Sequence, residues 1–200
     1  MNKFFFLDME MTGLDVASNR IIEVAVIITD LKFVELERYQ AVIRQPTEYV
    51  LGMDDWNVKT HTESGLINEI SRGKPQIEVE MELIDLVKKH FPKHRVMLTG
   101  NSISQDKLFI ETYMKKFADC LHYRIIDISS MKAIFQHVCG IKFQKGNTHR
   151  AMDDVEKSIE ELKLYVSLLD ENKMAAYRPK MSDGAGLSSD NPFYDEDEDE

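Results

Sequence analysis

The sequence predicts an α/β fold, a mixed β-sheet flanked by α-helices. Three observations predict it. The first 44 residues are dense in β-branched and aromatic side chains and read as three consecutive strands. From about residue 76 onward, short apolar runs alternate with stretches of helical spacing, as strand–helix units do. Across 200 residues, 43% hydrophobic and 30% charged is an ordinary balance for one globular domain.

Taken in order, residues 3–8 ("KFFFLD") read as a buried strand. Residues 20–30 ("RIIEVAVIITD") and 33–44 ("FVELERYQAVIR") read as a long hairpin. Residues 45–66 are irregular at first and then helical around Asp54 to His61. Residues 76–91 set Ile77, Met81, Ile84 and Phe91 at helical spacing, and Pro92 ends the run. "VMLTGNS" (96–102) is a short strand leaving into a loop. Residues 105–117 form a helix with Leu108, Phe109, Tyr113 and Phe117 inward. "YRIIDIS" (123–129) is a strand and 130–139 a helix. Residues 149–171 form an amphipathic helix with Met152, Val155, Ile159, Leu162 and Val166 on one side.

Residues 1–178 are expected to be the domain. Residues 179–200, with Pro, Gly, Ser and a terminal acid run, bury too little apolar area to order themselves. Net charge is −10, and this tail, with eight acids and one Lys, holds −7 of it. The body therefore carries about −3 and no basic block, a poor fit to gripping long nucleic acid by counterion release. Short or metal-bridged anionic substrates are compatible with it. No apolar run approaches the roughly 20 residues of a membrane helix, and neither a signal nor a transit segment is visible. Cys120 and Cys139 form no zinc or redox spacing, so a reduced, cytoplasmic setting is the simpler expectation, with a mitochondrial pool left open.

Chemistry enters with "FFFLDMEMTGLD". Asp8 and Glu10 are two apart at a strand end, so they share a face. Adjacent anions repel unless a cation sits between them, and hard divalent ions bind carboxylate and phosphate oxygens. A solvated strand edge is the plain alternative for the pair alone. It has company: Asp106 in "GNSISQD" follows a strand at the start of a helix, and "HRAMDD" sets His149 five residues before Asp154. Four acids and a histidine at element boundaries suit a two-metal phosphodiester site, with ions roughly 3.5–4 Å apart. One ion would activate a water and the other stabilise the leaving oxygen. A neutral His149 would accept the water's proton.

The chain resembles the oligoribonuclease family, members of the DEDDh 3′→5′ exonucleases with a ribonuclease-H-like fold. The resemblance spans residues 4–165 and rests on "LDMEMTGLD", "MDDWNVKTHTESGL", "GNSISQD", "HYRIIDIS" and "HRAMDD", in family order and spacing. It implies that Asp8, Glu10, Asp106 and Asp154 ligate two divalent cations, Mg²⁺ or Mn²⁺, and that His149 is the base. Asp153 is the rival to Asp154, but lies roughly 100° away around the helix. The resemblance further implies that Trp56 stacks on the 3′ base and Leu14 wedges between bases, a sequence-tolerant mode of binding. By residue type alone Trp56 could equally be a core residue. His61 could bond a phosphate or be a surface residue without a role. Arg124 and Ser129, with Ser102, resemble a cap on the 5′ phosphate of a very short oligonucleotide, while Tyr123 would come from the partner of a homodimer. Against this stand an Arg124 paired with a surface acid and a Tyr123 in ordinary strand packing.

The implied activity is that of a 3′→5′ exoribonuclease degrading di- and short oligoribonucleotides to 5′-mononucleotides at the end of RNA decay. A broader single-strand DNA or RNA exonuclease and a non-catalytic short-nucleotide-binding module are the alternatives. Lys59, Lys107 and Arg150 read as solvated, the methionines as core filler and the two cysteines as packed thiols. The chain departs from the family pattern in a shortened connection before His149, where "HVCGIKFQKGN" replaces a Trp-Pro-containing stretch. The acidic tail lies outside the family core and reads as a solubility or partner-binding segment, or as a shield against long polyanions.

Overall fold

A computed structural model describes residues 2–143 and 150–170. His149 and the acidic tail therefore lie outside the described residues. Strand β1 (Lys3–Met11) pairs antiparallel with β2 (Ile21–Asp30), which pairs antiparallel with β3 (Glu35–Val42). On the other side β1 pairs parallel with β4 (Leu98–Gly100), and β4 with β5 (Ile126–Asp127), giving the order β3-β2-β1-β4-β5. This is the mixed sheet the sequence predicts.

Seven α-helices accompany it among the described residues: α1 (Thr47–Leu51), α2 (Asp55–Glu63), α3 (Gln76–His90), α4 (Ile103–Tyr113), α5 (Lys115–Ala118), α6 (Ile128–Val138) and α7 (Ala151–Ser167). Alternation along β1 divides them between the two sheet faces. Phe5, Leu7, Met9 and Met11 pack with Val79 and Leu83 of α3, Phe109 of α4 and Phe117 of α5. Phe6 points the other way, onto Ile128 of α6 and Met152, Val155, Leu162 and Tyr165 of α7. A third cluster joins Ile22 of β2 to Met53, Leu66 and Ile70 and seats the 47–72 segment at the sheet's edge.

Several element details differ from the sequence expectation. α3 buries Val79, Leu83, Leu86 and Val87, and leaves Ile77 and Met81 exposed. Two apolar rows run along this helix, and periodicity alone does not choose the one that meets the sheet. The helix expected over 105–117 breaks at Met114 into α4 and α5, and Leu108 is exposed. The break has a tertiary cause, because the buried Glu80 carboxylate of α3 accepts the Lys116 and Phe117 peptide N–H groups. Val166 on α7 is also exposed. The strand expected over 123–129 shrinks to β5, because Asp127 caps α6 by accepting the Ser129 N–H at 2.9 Å. Cys139 is exposed rather than packed, and both cysteines are free. No helix among the described residues is long and apolar enough to cross a membrane.

Gly100 ends β4 where the chain turns toward the site. A Cβ there would stand 2.6 Å from the Leu7 carbonyl oxygen of β1, a backbone atom in the middle of the sheet. Gly100→Ala should therefore destabilise the fold by roughly 1–3 kcal/mol through overpacking. A drop in thermal melting temperature checks this; an unchanged one would mean that β4 can move.

Candidate active site

Asp8 and Glu10 continue the row of β1 begun by Phe4 and Phe6, the face that α7 covers. The apolar part of that row binds α7, and the acidic part begins where α7 begins. Asp154, in the first turn of α7, meets them there. Oxygens of Asp8, Glu10 and Asp154 lie within 4.8 Å of one another. Asp154, and not its neighbour Asp153, joins this group. Its carboxylate also has the Lys157 ammonium at 3.3 Å.

Such crowding shows in the titration of Glu10. Burial, then the Asp154 and Glu23 carboxylates, raise its pKa from 4.5 to about 7, against a lowering by Arg150. Asp106 in the first turn of α4 stands beside the three rather than among them. It is buried against β1, where it accepts the Met9 peptide N–H, and burial pushes it well above the usual carboxylate range. Glu10 and Asp127 push the same way. The donor set is hard carboxylate oxygen held on rigid elements, and the protonation it forces is what a divalent cation would relieve. The residues fit such an ion.

Two participants are not legible in the residue pattern. Glu23 of β2 lies directly across the ladder from Glu10 and is fully buried. Its partner is Arg150, which the sequence suggests is solvated. The guanidinium reaches Glu23 Oε1 at 2.7 Å and Glu69 Oε1 at 2.9 Å. The Ala151 N–H, at the start of α7, donates to Glu23 Oε2 at 3.0 Å. Lys107 likewise is engaged, with Glu111 and the Tyr123 carbonyl, whereas Lys59 remains a solvent-facing residue beside Glu63.

His61 is no surface residue. It is buried on α2 with Nε2 3.0 Å from the Met11 carbonyl and Nδ1 4.0 Å from Glu10 Oε2. Five residues earlier on the same helix, Trp56 is 62% exposed, which removes the core reading. Asp54 caps that helix by accepting the Asn57 N–H. Leu14 is 75% exposed on the loop after β1, beside a cleft of about 410 Å³ that Tyr49 and Asp54 also line. This loop is held firmly. Gln105 donates to the Leu14 carbonyl at 2.7 Å, and the Arg20 guanidinium lies between the rings of Tyr49 and Tyr113.

Ser102 and Ser129 come together, their hydroxyls 3.2 Å apart. Ser102 adopts a left-handed backbone, φ 53°, uncommon for a side-chain-bearing residue. Its N–H donates to Asp127 Oδ1 and to Ser129 Oγ. Tyr123 and Arg124 sit on the exposed turn before β5, with the guanidinium 5.1 Å above the Tyr123 ring. Tyr123 is not packed within a strand, because the strand starts later.

A family model described as Exonuclease matches residues 5–162. An oligoribonuclease of Francisella tularensis is 40% identical over 167 residues, covering 82% of this chain and 94% of that protein. An oligoribonuclease of Actinobacillus pleuropneumoniae is 42% identical over 165 residues, covering 80% and 90%. Among solved structures, the zinc-bound form of an E. coli ExoI–ssDNA complex superposes with TM-score 0.69 at 17% identity. It covers 88% of this chain, which spans only 42% of that one. Exonuclease I of Methylocaldum szegediense gives TM-score 0.65 at 14% identity, again over 88% of this chain and 42% of its own. The last two show the shared fold.

The raised carboxylates set a pH dependence. Between about pH 4.5 and 7 the folded, metal-free chain holds a proton on Glu10 that the unfolded chain has released. Stability therefore falls as pH rises through that window, by about 3 kcal/mol from Glu10 alone. Melting temperatures in a chelator should fall between pH 5 and 8, and millimolar Mg²⁺ or Mn²⁺ at pH 8 should restore them. A profile that is flat in chelator would overturn this account of the cluster.

Proposed function

This chain belongs to the exonuclease family, in its oligoribonuclease branch, and from that premise we propose how its residues carry out 3′→5′ exoribonuclease action and on what. The observation that carries the reading is the convergence of Asp8, Glu10 and Asp154 within 4.8 Å, with Asp106 buried alongside. These four acids are the residues that would hold two divalent cations, Mg²⁺ or Mn²⁺. When bound, the ions supply charge neutralisation at the scissile phosphate and a more acidic attacking water.

The rest falls to the chain. His149 takes the proton of the attacking water. It directly precedes Arg150, whose ion pairs tie the start of α7 to β2. His61, beside Glu10, is the residue that would hydrogen-bond a substrate phosphate. Trp56 offers an exposed face on which any base can stack, and Leu14 separates that base from the next. The products are 5′-mononucleotides.

Substrate length is set at the far end. Ser102, Ser129 and Arg124 form a cap for the 5′ phosphate of a dinucleotide or very short oligonucleotide. The Ser102 hydroxyl, set beside Ser129, and a forked, exposed guanidinium support this, since each can donate to phosphate oxygens. Tyr123, exposed on the same turn, reaches the site of a second subunit, so the working unit is a homodimer. Residues 1–178 form the catalytic domain and 179–200 an acidic appendage. A cytoplasmic setting is the simpler one for a chain whose two cysteines form no zinc or redox spacing.

Turnover of 5′-phosphorylated RNAs from two to about ten nucleotides with Mg²⁺, followed as mononucleotide release, tests the length reading. A sharp preference for the dinucleotide is expected; flat rates would mean an open site and a general exonuclease. Asp8→Ala should abolish turnover while leaving the melting temperature in chelator unchanged or higher, because it removes a repelling anion. Retained turnover would remove Asp8 from the ligand set.

A further inference from the structure

Between the paired serines and the carboxylate cluster lies a side chain that neither contacts the proposed substrate nor belongs to the ligand set. Asn101 occupies the turn after β4, and its amide is engaged at both ends. Its Oδ1 accepts from Ser129 Oγ at 3.2 Å. Its Nδ2 donates to Ser158 Oγ at 2.8 Å and to Glu161 Oε2 at 3.2 Å. The Ser158 hydroxyl in turn donates to the Asp154 carbonyl, 2.8 Å away on α7. The amide's orientation is forced, since Glu161 as a carboxylate can only accept.

The inner end of this chain of bonds is rigid. Glu161 is fully buried and also accepts from Tyr165 Oη at 2.8 Å and Lys132 Nζ at 3.1 Å. Ser158 is buried as well. At the outer end, Ser129 Oγ accepts the Ser102 N–H at 2.9 Å, so the two hydroxyls are located relative to each other by the same network. The carbonyl at the other end belongs to a member of the carboxylate cluster. One amide thus spans the interval between the two places that a very short substrate must touch at once.

We propose that Asn101 is a positioning residue for substrate length, holding the Ser102–Ser129 pair at a fixed separation from the helix that carries Asp154. The inference rests on the reading of those serines as the 5′-phosphate cap. A dinucleotide seated in the cap has no slack, so its scissile phosphate is placed by that separation. A longer chain that bypasses the cap is placed by its 3′ end alone. Asn101 then acts on the turnover of the shortest substrates and much less on that of longer ones. Misplacement by about 1 Å can cost on the order of 100-fold in rate.

The experiment compares Asn101→Ala and the milder Ser158→Ala with the unaltered protein, as full chains with Mg²⁺. The substrates are a 5′-phosphorylated dinucleotide and a pentanucleotide. Asn101→Ala should lower kcat for the dinucleotide by about 10- to 100-fold with KM changed much less, while the pentanucleotide changes only slightly. Ser158→Ala, which breaks the link to the Asp154 carbonyl and leaves both cap serines in place, should move the ratio of the two kcat values in the same direction. A purely structural Asn101 would lower melting temperature and reduce both substrates equally, which overturns the inference. If Asn101→Ala fails to fold, Ser158→Ala decides alone, and an unchanged ratio in it overturns the inference. Undiminished dinucleotide preference in both variants sinks this inference and leaves the cap standing. No length preference in the unaltered protein sinks the cap and this inference together.

Discussion

The site depends on where α7 begins, and the Glu23–Arg150 ion pair decides that. Glu23 is fully buried in β2, where an unpaired carboxylate would be very costly. Arg150 meets it with a fork, and the first peptide N–H of α7 donates to its second oxygen. The same guanidinium reaches Glu69, in the segment that follows the helix bearing Trp56 and His61. Three parts of the site, on β1–β2, on α2 and on α7, are thereby tied at one charged centre. A buried pair of this kind adds little net stability over apolar packing, yet losing one partner strands the other. Its value here is in location: with α7 started at Ala151, Asp154 faces Asp8 and Glu10 one turn later.

Charge balance follows from the same pair. Arg150 pairs with Glu23, which stands opposite Glu10, and its charge offsets part of the repulsion that Glu10 meets there. What remains, from burial and from the Asp154 and Glu23 carboxylates, is what a bound divalent cation would relieve. β1 is built for this division. Its row facing α7 is Phe4 and Phe6 where the helix packs, and Asp8 and Glu10 where the helix begins. Packing and chemistry are thus consecutive positions on one strand face.

What the sequence made legible divides along the same line. Asp8 and Glu10 could be read as sharing a face because the strand period is local, whereas Asp106 and Asp154 entered through their places at element boundaries and through the family motifs. Asp153 shares the first turn with Asp154, and it is the family's spacing from His149, with the rotation of roughly 100° between neighbours on a helix, that singles out Asp154. Glu23 and Arg150 could not be read, since 127 positions separate them and each alone looks like surface charge. His61 and Trp56, five apart in a polar stretch, have opposite burial that no periodicity indicates. The break at Met114 and the short β5 were hidden for a related reason. One is made by Glu80 from another helix, and the other by Asp127, whose carboxylate serves the Ser102 and Ser129 N–H groups together.

Asp127 also explains why the chain at Ser129 is shaped as a turn and not a strand. Extended backbone through Ser129 would aim its side chain by strand alternation, and its N–H would be committed to a ladder. Starting α6 at Ile128 instead lets the Ser129 hydroxyl meet Ser102 just beyond the paired ends of β4 and β5. Ser102 accepts a left-handed backbone to do the same. Backbone strain of order 1–3 kcal/mol persists only where surrounding bonds over-determine it, and here two acceptors hold one N–H. The strain is therefore consistent with a requirement on the hydroxyl's position rather than with a defect of the loop. The same requirement accounts for an amide, and not an apolar side chain, at the next position inward.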